Sequence, residues 1–196
     1  MTAILRIEAS IKGENSVSRK LTDRLIARLL DTYADASLVS RDLSTGVDAV
    51  DAAWIGAVFT PAEARSDAQK AIVAYSDTLL NEVRAADILV IGLPVYNFGV
   101  PSQLKSWFDQ LARKGESFRY TEAGPQGLLT GKKAIIAMAS DGTKQGSAID
   151  FASGYVRHML TFFGITDVEI VAADAIAYAP DTTVPGALAA VNALAL

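Results

Sequence analysis

Five short β-prone runs stand out along the chain: Ala3–Ala9, Ser37–Asp42, Ile88–Leu93, Lys133–Ala139 and Asp167–Ala173. Three of them contain the near-unbroken stretches ILVIGL, AIIAMA and VEIVAA. A strand with one wet face alternates apolar and polar positions. Continuous hydrophobicity over so few residues predicts strands covered on both faces, as in a parallel sheet. Buried helix is the competing reading of such a run; short length and β-branched content weigh against it.

Between these runs the apolar positions recur at helical spacing. Ser18–Leu30 places Leu21, Leu25, Ala27 and Leu29 among Arg19, Lys20, Asp23, Arg24 and Arg28. Ser66–Ala86 does the same with Ile72, Val73, Leu79, Leu80 and Val83. Pro101–Ala112 opens with proline at a first-turn position, where a missing N–H costs nothing. Ile149–Phe163 and Pro185–Leu196 complete the set. Strict alternation of strand and helix predicts one α/β domain over residues 1–196, doubly wound, with right-handed crossovers around a parallel sheet. Two connections read as long loops: Leu43–Arg65, with Val50, Trp54, Ile55, Val58 and Phe59, and Lys114–Gly131. Loops of that length are usually functional or interfacial.

Composition removes several classes of chemistry. The chain of 196 residues has no cysteine, so disulfides, thiolate nucleophiles and cysteine metal sites are excluded. Its one histidine, His158, sits mid-helix without a GxSxG elbow, and reads as a surface or core-satisfied residue. Asp48 and Asp51 have no second acidic cluster near them, so no metal site is expected. With 18 basic and 22 acidic residues the net charge is −4, which gives no bulk attraction for nucleic acid or anionic membrane. Ile88–Leu93 and Ala187–Leu196 fall short of the ~18 residues that span a bilayer. Arg6 and Glu8 interrupt the first apolar stretch, against a signal peptide, so the expected location is cytoplasmic.

What remains is hydroxyls, carboxylates, amides, aromatics or a bound cofactor. In open α/β sheets ligands sit beyond the carboxyl ends of the strands, at the switch in strand order. The loop after the first run holds Ser10, Gly13, Ser16 and Ser18 and runs into a helix. Hydroxyls and free amides at a helix N-terminus suit a phosphate, although either serine serves equally as a helix cap. GxGxxG and the P-loop signature are both absent, which points to a mononucleotide phosphate. After the third run, Pro94-Val95-Tyr96-Asn97-Phe98-Gly99-Val100-Pro101 reads either as a rigid loop against a planar heterocycle or as a helix-entry turn with buried aromatics. Ser140-Asp141-Gly142-Thr143 is first a turn signal and could also meet an edge of that heterocycle.

At these residues the sequence resembles the FMN-dependent NADH azoreductase and NADH:quinone oxidoreductase family, a branch of the flavodoxin-like fold. The resemblance runs through Ser10…Ser16-Val17-Ser18, then Pro94 to Phe98 with Gln103-Leu104-Lys105 and Phe108-Asp109. It continues from Phe118 to Lys133, and ends in Phe162 to Asp167. It implies a five-stranded sheet of order 2-1-3-4-5. It also implies a ping-pong enzyme in which NADH reduces bound FMN, and FMN reduces quinones and aromatic azo compounds. By the same resemblance Ser10, Ser16, Val17 and Ser18 hold the phosphate, and Pro94, Val95, Tyr96, Asn97 and Phe98 line the isoalloxazine. Ser140, Asp141, Gly142 and Thr143 then contact its pyrimidine side, and Tyr120 and Phe162 flank the face where nicotinamide and acceptor alternate. The family's homodimers, with two sites at the interface, would account for Trp54 and Phe59. Asp141 departs from the family, which often has arginine there, and Val95 stands where methionine is common. Two other readings are an electron-carrier flavodoxin without nicotinamide chemistry, and a flavin-free α/β interaction module.

Overall fold

The computed structural model describes residues 1–196. Its elements in chain order are β1 (Ala3–Glu8), α1 (Val17–Thr32), β2 (Ser37–Asp42), α2 (Ala52–Phe59), α3 (Asp67–Ala85) and β3 (Ile88–Pro94). They continue with α4 (Ser102–Leu111), β4 (Phe118–Thr121), β5 (Gly124–Gly127), β6 (Lys133–Ala139), α5 (Ser153–Phe163), β7 (Asp167–Ala173) and α6 (Pro180–Ala193). Five strands form one sheet in the order β2-β1-β3-β6-β7, with every pairing parallel. Counted within that sheet the order is 2-1-3-4-5, the flavodoxin-like arrangement, and the five β-prone runs are its strands; β2, at one edge, is largely exposed. No helix is long and apolar enough to cross a membrane.

Burial explains the sequence pattern. Every residue of β3 is buried, because helices cover both faces of the sheet. On one face α1 and α6 pack Leu21, Leu25, Leu29, Ala187 and Val191 against Ile4, Val90, Ile135 and Val171. On the other, α3, α4 and α5 bring Leu79, Val83, Trp107, Phe108, Val156 and Phe163 onto Leu5, Leu89, Ile91 and Ile136. A Cβ on Gly92 in β3 would lie 2.7 Å from Glu8 Oε2, so the Glu8 carboxylate would have to shift to admit one.

The structure corrects four expectations about local elements. The first long connection is not all loop: it holds α2, whose N-terminus is capped by Asp51 Oδ1 accepting from the Trp54 amide at 2.7 Å. The second folds into the antiparallel hairpin β4–β5. The hairpin lies directly on the end of α5, where a Cβ on Gly127 would come within 2.1 Å of the Gly164 nitrogen. α5 begins at Ser153 rather than Ile149, because Asp150 Oδ1 takes the amides of Ala152 and Ser153 at 3.1 and 2.9 Å in a separate turn. α6 starts earlier than Pro185, with Pro180 in its first turn, the position that tolerates a missing N–H. Pro185 therefore lies inside the helix.

Candidate active site

The switch in strand order falls between β1 and β3, and a cavity of about 480 Å³ opens there beyond the strand ends. Three loops build most of it. The loop after β1 and the first turn of α1 supply Ser10, Lys12, Ser16, Val17 and Ser18; the end of β3 and the loop after it supply Pro94, Val95, Tyr96 and Asn97; the loop after β6 supplies Ser140 and Asp141.

Hydroxyls gather at the start of α1. Ser10, Ser16 and Ser18 are all at most 1% exposed by residue, yet line the cavity. Ser16 is the N-cap, its Oγ accepting from the Arg19 amide at 3.2 Å and meeting Ser18 Oγ at 3.0 Å. Capping and cavity lining are thus done by the same side chain, so the two readings of this serine are compatible. The amides of α1's first turn point the positive end of the helix dipole at the cavity. Tyr96 ties this loop to the next one: its Oη accepts from the Ile11 amide at 3.2 Å and lies 3.3 Å from Ser10 Oγ.

The loop after β3 is a tight turn. Tyr96 and Gly99 exchange both backbone hydrogen bonds at 3.0 Å, and the two central residues have positive φ, 48° for Asn97 and 70° for Phe98. That is the pattern of a type I′ turn, whose second central position is ordinarily glycine. Here glycine comes one residue later, and Phe98 takes a left-handed conformation that costs on the order of 1–3 kcal/mol for a bulky residue. The Phe98 carbonyl is held by the Phe151 amide at 3.1 Å. Asp150, beside it, anchors that segment. Burial pushes its carboxyl up, but hydrogen bonds from Ser153, Gly146 and Ala152 outweigh it and hold the group below the usual carboxylate range.

Of the site residues read from sequence, the cavity brings together Ser10, Ser16, Val17, Ser18, Pro94, Val95, Tyr96, Asn97, Ser140 and Asp141. Phe98, Gly142 and Thr143 do not line it. Phe98 is exposed beside it, and Thr143 is buried, its carbonyl accepting from Ser140 Oγ. Tyr120 and Phe162 also lie off this cavity, flanking Phe118 with ring centroids 5.6 and 4.5 Å away from it. Sequence reasoning passed over Ile11, Lys12, Asn15, Ala139 and Ile176. Ile176 follows β7 and is placed by its amide donating to the Ser140 carbonyl at 3.0 Å; the rule that ligands sit past strand ends applied equally to that fifth loop.

A second concavity of about 440 Å³ lies under α2, lined by Asp48, Asp51, Trp54, Ile72, Tyr75 and Gln110 among others. Two of the lining residues each keep one atom sealed inside the chain without a hydrogen-bond partner, Trp54 Nε1 and Gln110 Oε1. Burial pushes the Tyr75 phenol up. Ile55 and Phe59 stand exposed on the same helix, Phe59 by 74%.

Residues 2–195 match the family described as having a flavodoxin-like fold. An FMN-dependent NADH:quinone oxidoreductase of Cereibacter sphaeroides (strain KD131 / KCTC 12085) is 57% identical over 195 residues, covering all of both chains. A protein named FMN-dependent NADH:quinone oxidoreductase 1, from Jannaschia sp. (strain CCS1), is 53% identical over the same full length. Among solved structures, an azoreductase from Bacillus anthracis str. Sterne superposes with a TM-score of 0.89 at 28% identity, over 97% of each chain. An FMN-dependent NADH-azoreductase from Bacillus anthracis str. Ames Ancestor, in complex with FMN, superposes with a TM-score of 0.88 at 26% identity, over 97% of this chain and 96% of that one.

Proposed function

The chain belongs to the flavodoxin-like family, and from that premise we propose that it is an FMN-dependent oxidoreductase that uses NADH to reduce quinones and the azo bond of aromatic azo compounds. The observation that carries this reading is the cavity at the sheet's switch point. It presents hydroxyls and helix-start amides at one end and the Tyr96–Asn97 turn at the other. Relatives at 53–57% identity over the full length bear the quinone oxidoreductase name.

The residues fit FMN. Ser16 and Ser18 bond each other at 3.0 Å and can turn both hydroxyls to a phosphate without leaving a buried oxygen bare. Ser10 and Val17 complete that cradle. Pro94, Val95, Tyr96 and Asn97 form a wall for a planar ring, with Phe98 at its rim, and Ser140 and Asp141 bound another side, backed by Gly142 and Thr143, which lie off the cavity. When bound, FMN supplies the two-electron relay between NADH and the acceptor, chemistry for which the chain's own side chains have no equivalent. The protein's part is to hold and orient the ring and to keep one of its faces open to both substrates in turn.

Tyr120 and Phe162 are assigned to that open face, as groups that shape the substrate space rather than donate protons. Both lie off this chain's cavity, which fits a homodimer in which each site is completed across the interface. The exposed Ile55 and Phe59 support α2 as part of that interface. A cytoplasmic location suits a catalyst that draws on NADH.

The test is an absorption spectrum of the purified protein followed by NADH oxidation with and without a quinone. Visible flavin absorption bands and quinone-dependent NADH loss are expected. A carrier would show the bands without that turnover. A protein colourless even with added FMN would end the reading.

A further inference from the structure

The cavity beyond the strand ends has two charged side chains in its lining, Lys12 and Asp141, and they face each other. Lys12 Nζ is 3.8 Å from Asp141 Oδ2, across the gap between the loop after β1 and the loop after β6. Other cations at this end of the sheet are committed elsewhere. Arg19, next to Ser18, is bonded to Asp42 at 2.7 Å, and Arg6 to Glu8 and Asp23, both at 2.6 Å. Lys12 is therefore the one cationic side chain that the cavity offers to an anion resting on the serine hydroxyls. Its own amide donates to Ser10 Oγ at 3.3 Å, so its backbone is already part of that cradle.

We infer that Lys12 and Asp141 are a specificity-determining pair. Lys12 is the counter-charge for a flavin's phosphate, and Asp141 opposes it, so that the two together set how strongly the cavity prefers a phosphorylated flavin over its phosphate-free form. This rests on the flavin reading above and adds to it.

The physical case is one of competition. Lys12 and Asp141 are exposed at the side chain by 56% and 72%, and an ion pair in so much water is weak. Lys12 can leave it. A phosphate monoester carries close to two negative charges near neutral pH, against one on a carboxylate, so Lys12 moves toward the phosphate when both are within reach. Asp141 stays behind as an uncompensated negative charge at the mouth, and the affinity for the phosphate falls by that competition. Hydroxyls and amides hold the phosphate in either case. The pair adjusts the grip rather than creating it.

Fluorescence titration of the full-length, flavin-free protein with FMN and with riboflavin tests this. Wild type is compared with Lys12→Met, Asp141→Asn and the double variant. Riboflavin has the same ring and no phosphate, so the FMN-to-riboflavin affinity ratio isolates the charge effect from any loss of fold. Lys12→Met should lower that ratio about tenfold, and Asp141→Asn should raise it about threefold, both shrinking in ~0.5 M salt. In the Lys12→Met background, Asp141→Asn should move the ratio less than about twofold. An undiminished Asp141→Asn effect in that background would show that Asp141 does not act through Lys12. Equal losses for both flavins in Lys12→Met would mean that Lys12 does not meet the phosphate. Either result overturns the pair while FMN binding itself stands. A wild-type protein that binds neither flavin overturns the flavin reading, and the pair with it.

Discussion

The cavity beyond the strand ends and the concavity under α2 are close in volume, about 480 and about 440 Å³, but their polar groups are in opposite conditions. In the first, Ser16 meets Ser18, Ser10 meets Tyr96, and Lys12 meets Asp141. Each of these groups has a partner now and can exchange it for a ligand's, so filling and emptying the cavity leaves nothing buried and bare. In the second, the Trp54 indole N–H and the Gln110 amide oxygen are buried without partners. An unsatisfied buried group costs about 1–3 kcal/mol for as long as it stays so. Apolar side chains, Ile55 and Phe59, stand beside it. The contrast separates polar groups that a ligand can reach from polar groups that the fold has sealed away.

The largest effect should come from the first region. Replacing Ser16 and Ser18 together by alanine removes hydroxyls that would face a charged phosphate, at about 1.5–3 kcal/mol each. FMN binding should weaken accordingly while riboflavin binding holds; equal losses for both flavins would remove the serines from the phosphate cradle. Next in size is the surface. Phe59→Glu puts a charge in the exposed apolar set of α2 and should cost about 2 kcal/mol or more of dimer stability if Phe59 is an interface anchor. Light scattering at micromolar concentration would then shift from twice the chain mass toward one. A dimer that persists unchanged would place the interface elsewhere. The smallest effect tests the bare indole N–H. Trp54→Phe removes a buried N–H that has no partner within the chain, so relief of its desolvation offsets the lost packing and the cost in stability should stay below about 1 kcal/mol. A melting temperature lowered by many degrees would show that the group is satisfied in solution.

The sheet was legible because burial on both faces leaves a plain signature: β3 and β6 are apolar almost throughout and have no reason to alternate. The gathering of hydroxyls at the cavity was legible because Ser10, Ser16 and Ser18 fall after the first strand and before a helix. α2 escaped because its eight residues give scarcely two turns of periodicity; its one advance signal was Asp51 three residues ahead of Trp54. The hairpin escaped because Gly-Pro-Gln-Gly has almost no strand propensity, and β5 exists through its pairing with β4 and its seat on Gly164. Lys12 was invisible for a different reason. A lysine in a polar loop is ordinarily solvated, and only the fold brings Asp141, 129 positions later in the numbering, to its side.

The packing of α1 has a consequence for the order in which the protein takes shape. The helix that begins at the serine cradle is made early in synthesis, yet its apolar face rests on Val90, Ile135, Val171 and Val191, which come much later. Arg28 near its far end donates to the carbonyls of Val191 and Leu194. Every strand pairing in the sheet is likewise parallel and bridged by a long crossover, the kind of contact that forms slowly. A nascent chain therefore carries the cradle's residues for most of its emergence without the support that would fix them. The helix that starts at the cavity is thus fixed by residues far along the sequence, and a change in α6 would reach the cavity through α1 rather than by contact.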